Sequence, residues 1–397
     1  MNNLLKCHQY ILYSLNNALF KNNIPDFDIS STTDTVISEA KAQTVFPLVY
    51  SALSSKYDLS QYQTPYFSII SNNIKVAEEH KALHRLLTQN GIVYVFIKGC
   101  ASALFYPDPL LRTMGDVDLL VRESDIEKTV TLLVENGYIK DDADDDGDGH
   151  ISFHNLKTHV HVELHRRILG IPENAVGEKL KPLFDDIFDK AILENGEYLR
   201  PCDFHHGLIL LLHTAQHLTR EGVGLRHLCD WAVFVAHFSD DEFINMFENS
   251  LKEVGLWQFA KILTQFAVKH LGCPNKNWCG EADSQVLEGL LNDVLNGGNF
   301  GKKDFGRYQH IKYISDRTED NTAKSPLKQL FSNLVAKARR EVGFVKKTPW
   351  LLPFGVICVA FKYLWLIITK QRKMDNKSLI KGALDRKELY DKFQLFK

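Results

Sequence analysis

The segment Gly115-Asp116-Val117-Asp118-Leu119-Leu120-Val121 constrains this chain more than any other. Side chains two apart on a strand share a face, so Asp116 and Asp118 point together while Val117 and Leu119 turn to the buried side. A second run of period two, His159-Val160-His161-Val162-Glu163-Leu164-His165, sets three apolar residues on one face and Glu163 with three histidines on the other. Taken alone, Glu163 reads as an ordinary acid on a solvated edge strand. Beside the aspartate pair it reads as a third carboxylate from a neighbouring strand.

Three carboxylates near one point suit divalent-ion chemistry. Mg²⁺ takes hard oxygen ligands, usually one or two carboxylates plus phosphates. Two such ions about 3.5–4 Å apart stabilise both the attacking and the leaving oxygen of a transferred phosphoryl group. The residues ahead of the pair fit a phosphate. Lys98-Gly99 stands where a strand turns into a helix, and a glycine there lets phosphate approach backbone amides. Arg112, four residues before Asp116, offers a two-pronged donor for phosphate oxygens.

The surrounding pattern predicts a small α/β unit. Ile92 to Ile97 reads as a buried strand, Cys100 to Tyr106 as a helix, Val117 to Val121 as a strand and Ser124 to Asn136 as a helix capped by Ser124. Ile151 to Phe153 and His159 to His165 follow as paired strands. Ahead of them residues 1–90 read as helical, ending in a helix from Tyr66 to Asn90 with Ile69, Ile70, Ile74, Leu83, Leu86 and Leu87 on its buried side and Gly91 beyond it. Helical periods return at 208–218, 225–238, 240–254, 256–271 and 281–295. The expected division is a helical region over 1–90, an α/β core over 91–200, a helical domain over 201–314, and a linker with a tail over 315–397. The fold class is α+β, a mixed sheet core flanked by helices.

Lys98-Gly99, Arg112-Thr113-Met114-Gly115-Asp116-Val117-Asp118-Leu119-Leu120-Val121 and Val162-Glu163-Leu164-His165 together resemble the bacterial uncharacterised nucleotidyltransferase family of the polymerase-beta-like superfamily. Leu212-His213, His217, Arg226 and Asp230-Trp231 are similar to its C-terminal helices. The resemblance spans about residues 40 to 240. It implies transfer of a nucleoside monophosphate from an NTP to an acceptor, with Asp116, Asp118 and Glu163 holding two Mg²⁺ ions (or Mn²⁺ in their place) and Glu163 helping to deprotonate the acceptor. Lys98, Gly99, Ser102, Arg112 and Gly115 are the nucleotide-binding candidates. Ser102 enters because the superfamily's glycine-serine is replaced here by Lys98-Gly99-Cys100, and either Ser102 or the charge of Lys98 takes the serine's part. The acceptor is open among small molecules, glycans and protein side chains. A non-catalytic nucleotide-binding or scaffold protein on a membrane surface is the alternative.

Other features carry less. A net charge of −2 argues for no nucleic-acid partner. Seven scattered cysteines without a CxxC pair read as reduced thiols, and the N-terminus lacks an apolar signal core, so a cytoplasmic protein is expected. Residues 350–369 are apolar between basic flanks, but Lys362 near the middle and Pro353 at the start favour a packed helix or one lying on a membrane surface. Asp142, Asp144 and Asp146 imitate half a calcium loop, yet the twelfth position is Phe153, so a solvated acidic loop is expected. His159, His161 and His165 are a weaker zinc alternative. Arg226 and Asp230, four apart, read as an intrahelical pair, although Arg226 and His217 can instead line the cleft.

Overall fold

The period-two runs become strands of one five-stranded mixed sheet in the computed structural model, which describes residues 3–141 and 150–299 apart from 221 and 282, together with 303, 335, 349–359 and 388–396. The chain forms two compact units, one of Met1–Phe305 with Leu389–Lys397 and the other of Gly306–Glu388. The expected calcium-like loop and the polar stretch after 315 lie outside the described residues.

In the first unit four helices come first: α1 (Asn3–Phe20), α2 (Thr33–Ala42), α3 (Phe46–Leu53) and α4 (Gln63–Gln89). The sheet segment follows as β1 (Tyr94–Phe96), α5 (Cys100–Ala103), β2 (Asp116–Val121), α6 (Ile126–Glu135), β3 (Tyr138–Lys140), β4 (His150–Asn155) and β5 (His161–His165). Strand order is β1-β2-β5-β4-β3. Only β2 and β5 run parallel; the other three pairings are antiparallel. Then come α7 (Ala175–Leu180), the hairpin β6 (Ile192–Glu194) and β7 (Tyr198–Arg200), and α8 (Asp203–Thr219), α9 (Leu225–Ala236), α10 (Asp240–Glu253), α11 (Trp257–Leu271) and α12 (Ser284–Gly297). The fold is α+β.

Alternation sorts the sheet as its residues demand. Val117, Leu119, Val121, Phe153, Val162 and Leu164 are buried together with Val76, Leu83 and Leu87 of α4 and Leu133 of α6. Val95 and Leu120 face the other way, into a core shared with α8 and α9. That opposite face carries Asp116 and Asp118.

Three local readings differ. The buried side of α4 is Asn73, Val76, Glu79, His80, Leu83 and Leu87, while Ile74 is 46% exposed. Polar residues take the inward stripe there because loop carbonyls and strand ends, not hydrocarbon, face them. Ser124 does not cap α6: it lies inside a 3₁₀ turn, Glu123–Asp125, that starts with Asp125 N donating to Arg122 O. After Ala103 the backbone tightens into three-residue-spaced bonds (Phe105 N to Ser102 O, Tyr106 N to Ala103 O), so the helix expected to reach Tyr106 stops early.

In the second unit the described residues include a turn at Pro349–Leu351 and helical residues 352–359, where Trp350, Phe354 and Ile357 are exposed. Residues 360–369 lie outside the described residues. No described helix is long and apolar enough to cross a membrane.

Candidate active site

The parallel pairing of β2 with β5 sets Asp116 opposite His161 and Asp118 opposite Glu163. Register partners in a parallel pair share a face, so Asp118 and Glu163 stand on the same side of the sheet, and Asp116 joins them from two residues back. The antiparallel β4 extends that polar face with His150 opposite His165 and Ser152 opposite Glu163.

Asp118 is the most enclosed of the three, with a side chain 3% exposed. Lys98 Nζ donates to its Oδ1 at 2.7 Å, and His165 Nε2 donates to the same oxygen at 2.9 Å. His165 Nε2 also lies 3.4 Å from Glu163 Oε2, so one imidazole bridges two carboxylates. Burial alone would raise the Asp118 pKa, but the Lys98 charge and the His165 hydrogen bond outweigh it and hold the carboxyl well below its ordinary value. Asp116 moves the other way, raised by burial and by the negative charges of Asp118 and Glu163. Burial would raise Glu163 too, yet the His165 hydrogen bond leaves it lowered. Crowded acids of this kind form a cluster that a cation would relieve, and their oxygens are the hard donors Mg²⁺ takes. The tightest ligand group around Glu163 is mixed, however: one donor atom each from His150, Glu163 and His165 lies within 4.8 Å of the others. Of the zinc alternative read from the sequence, His165 and Glu163 belong to this group and His159 and His161 do not.

Lys98 follows β1 directly, and Gly99 turns the chain into α5 with φ +60° and ψ −117°. A Cβ there would sit 3.1 Å from the His80 ring, so the turn needs glycine on two counts. Ser102 is buried, its Oγ 3.5 Å from His206 Nε2.

Lys98, Gly99, Ser102, Arg112, Gly115, Asp116 and Asp118 all line one recess of about 60 Å³, and Glu163 stands outside this lining. That space holds a few water molecules or a compact anion. The opposite wall comes from the helices: Leu210 and His213 of α8, and Arg226, His227 and Asp230 of α9.

Arg112 departs from expectation. Its Nε and Nη2 donate to Asp230 Oδ1 and Oδ2 at 2.7 and 2.8 Å, and both side chains are about 6% exposed. Tyr106 Oη donates to the same Asp230 Oδ1 at 2.7 Å. The Arg112 fork is therefore engaged across the recess rather than held open for a triphosphate. The intrahelical Arg226–Asp230 pair is not formed, because Asp230 is taken by Arg112. Arg226 instead donates through Nη1 to Thr113 O at 2.9 Å, and its buried Nε has no hydrogen-bond partner among the described residues.

Sequence reasoning missed the supports of this loop. Asn73 on α4 donates to Leu110 O and Arg112 O and accepts from Met114 N, and Asn72 donates to Met114 O. Glu79 accepts from Tyr138, Asn155 and Thr158 at the far edge of the sheet. The signal that points to both is a polar residue inside an otherwise apolar helix stripe.

Among curated proteins the chain has no match. The model of a protein family described as "Uncharacterised nucleotidyltransferase" matches residues 30–272, which takes in β1 to β5 and the helices that close the recess.

Proposed function

We propose, starting from the fact that this chain belongs to the uncharacterised nucleotidyltransferase family, that it transfers a nucleoside monophosphate from an NTP to an acceptor and releases pyrophosphate. Asp116, Asp118 and Glu163 are the groups that would hold Mg²⁺, or Mn²⁺ in its place. The bound ions would neutralise charge on the attacking and leaving oxygens. The observation that carries this reading is the register of the parallel pair, Asp118 beside Glu163 with Asp116 on the same face.

The protein's own groups divide the remaining work. Lys98 and Arg226 line the recess as cations, and the buried Nε of Arg226 is a donor with no hydrogen-bond partner among the described residues. These two, with the backbone at Gly99 and Gly115, would cradle the phosphates, and Ser102 would donate from the side. Arg112 acts at one remove, fixing the loop into β2 through Asp230. Glu163 is 28% exposed against 3% for Asp118, so an acceptor hydroxyl would reach Glu163, whose carboxylate would take its proton. The acceptor is a small molecule, a glycan or a protein side chain.

Purified protein incubated with Mg²⁺ and each α-labelled NTP should release pyrophosphate and leave label on an added or co-purified acceptor. Asp116→Asn should lose this release at least 100-fold while keeping the parent melting temperature. Equal release from parent and variant, or none from either with all four NTPs and Mn²⁺ as well, would overturn the reading.

A further inference from the structure

A second ligand set stands on the helical wall of the recess. His213 and His217 are one turn apart on α8, so their side chains share a face. His227 comes from the first turn of α9. The three ring centroids are 4.4, 5.2 and 5.4 Å apart, and one nitrogen from each ring lies within 4.8 Å of the others. We infer that His213, His217 and His227 form a binding site for a divalent transition-metal ion of the zinc class, separate from the carboxylates of β2 and β5.

Donor chemistry selects the ion. Three imidazoles suit Zn²⁺, Co²⁺, Ni²⁺ or Cu²⁺, whereas Mg²⁺ prefers oxygen. The pair on α8 needs little change. A tetrahedral ion with bonds of about 2.0–2.1 Å separates its nitrogens by about 3.3 Å. The Nε2 atoms of His213 and His217 are now 2.9 Å apart, so the pair opens by a few tenths of an ångström. A hydrogen bond between two histidines on one helix needs no third ring, and it is the imidazole from a different helix that makes a ligand set.

The three ligands found among the described residues leave a tetrahedral ion one further position. His213 and His227 both line the recess, so that position faces the space shared with Asp116 and Asp118. Three imidazoles supply no charge to the ion, and Lys98 and Arg226 line the same recess. The fourth ligand is therefore an anion, a hydroxide or a phosphate oxygen, and inorganic phosphate should tighten metal binding. The site is assigned without reference to nucleotidyl transfer and can be tested without it.

The full chain, stripped with a chelator, is titrated with Co²⁺ and, in competition with a chromogenic chelator, with Zn²⁺. One ion per chain should resist displacement by a tenfold excess of Mg²⁺, and Co²⁺ bound in that way should give the visible bands of tetrahedral coordination. His217→Gln, at a half-buried position, should weaken Zn²⁺ at least tenfold, whereas His150→Gln, in the group beside Glu163, should leave it unchanged. His217→Cys should keep the ion and add a sulfur-to-cobalt charge-transfer band, a change that a purely structural histidine could not produce. Absence of tetrahedral Co²⁺ in the parent protein, or an ion that survives His217→Gln and is lost in His150→Gln, would overturn the assignment.

Discussion

Asp230→Ala tests whether the ion pair across the recess holds β2 in place. Asp230 accepts from Arg112 Nε and Nη2 and from Tyr106 Oη, and both charged side chains are about 6% exposed. Truncation leaves the Arg112 guanidinium buried without its counter-charge, which costs about 3–5 kcal/mol when one partner of a buried pair is removed. For a unit larger than about 250 residues each kcal/mol shifts the melting temperature by about 1.5 °C, so the variant should melt about 4–8 °C lower. Removing both charges is different in kind. Arg112→Met with Asp230→Leu fills similar volume and strands no charge, and such replacements of buried pairs are often neutral or better. The double variant should thus recover more than half of the loss, a coupling visible by thermal melts followed by circular dichroism. If Asp230→Ala melts within about 2 °C of the parent, or if the double variant is worse than the single, the pair is not the clamp described. Because Arg112 lies four residues ahead of Asp116, the recovered double variant also separates stability from phosphate binding. Its KM for NTP should rise several-fold while the melting temperature recovers, because the same change removes both the Arg112 and the Tyr106 contact to Asp230 that set α9 against β2.

Acid sensitivity should begin well above the carboxylate range. Burial pulls His80 down to about 4 and His206 to about 3, against about 6.5 in an unfolded chain. Below pH 6.5 the unfolded chain binds protons that the folded one refuses, so stability falls on acidification, by about 1.4 kcal/mol per group at pH 5.5. A melting temperature that stays level between pH 7.5 and 5.5 contradicts this. Gly99→Ala places a side chain at φ +60° and against the His80 ring, and should cost about 1–3 kcal/mol with a parallel fall in nucleotidyl transfer. A variant as stable and as active as the parent would show that the turn does not need glycine. Asn73→Leu strips partners from Leu110 O, Arg112 O and Met114 N, at about 1–3 kcal/mol for each group left unsatisfied in the interior. Urea unfolding midpoints measure it, and a loss below about 1 kcal/mol would mean that water replaces the amide.

What could be read in advance was whatever repeats over a few residues. Alternation in 117–121 and 159–165 located β2 and β5 and put Asp116, Asp118 and Glu163 on a polar face, because period two is a property of the backbone. The spans of α8 to α12 followed from their 3.6-residue period in the same way. Local spacing misled where a distant group competed. Arg226 and Asp230 are correctly spaced for a helical pair, yet Asp230 is claimed by Arg112, 118 residues away. Ile74 reads as apolar and inward, but the inward stripe of α4 goes to Asn73, Glu79 and His80, which meet groups that no sequence window contains. The hairpin of β6 and β7 is three residues a side and too short to show a period.

The same distinction explains how the recess is organised. Its floor is sheet, and its acids are placed by register, so their mutual distances depend on hydrogen bonds that every residue makes. Its far wall is α8 and α9, and that wall reaches the floor through a few polar contacts: Arg112 to Asp230, Tyr106 to Asp230, and Arg226 to Thr113 O. All three involve the segment 106–113 between α5 and β2, which α4 grips from the other side through Asn73. A change in that segment therefore shifts the cations of α9 relative to the carboxylates of β2 without unfolding either. The consequence is a split in phenotype. Variants at Asp116 or Asp118 should abolish transfer outright, whereas variants at Tyr106, such as Tyr106→Phe, should raise KM for NTP several-fold and leave the sheet intact. A Tyr106→Phe protein with unchanged KM would mean that the Arg112 fork alone sets the separation of the two walls.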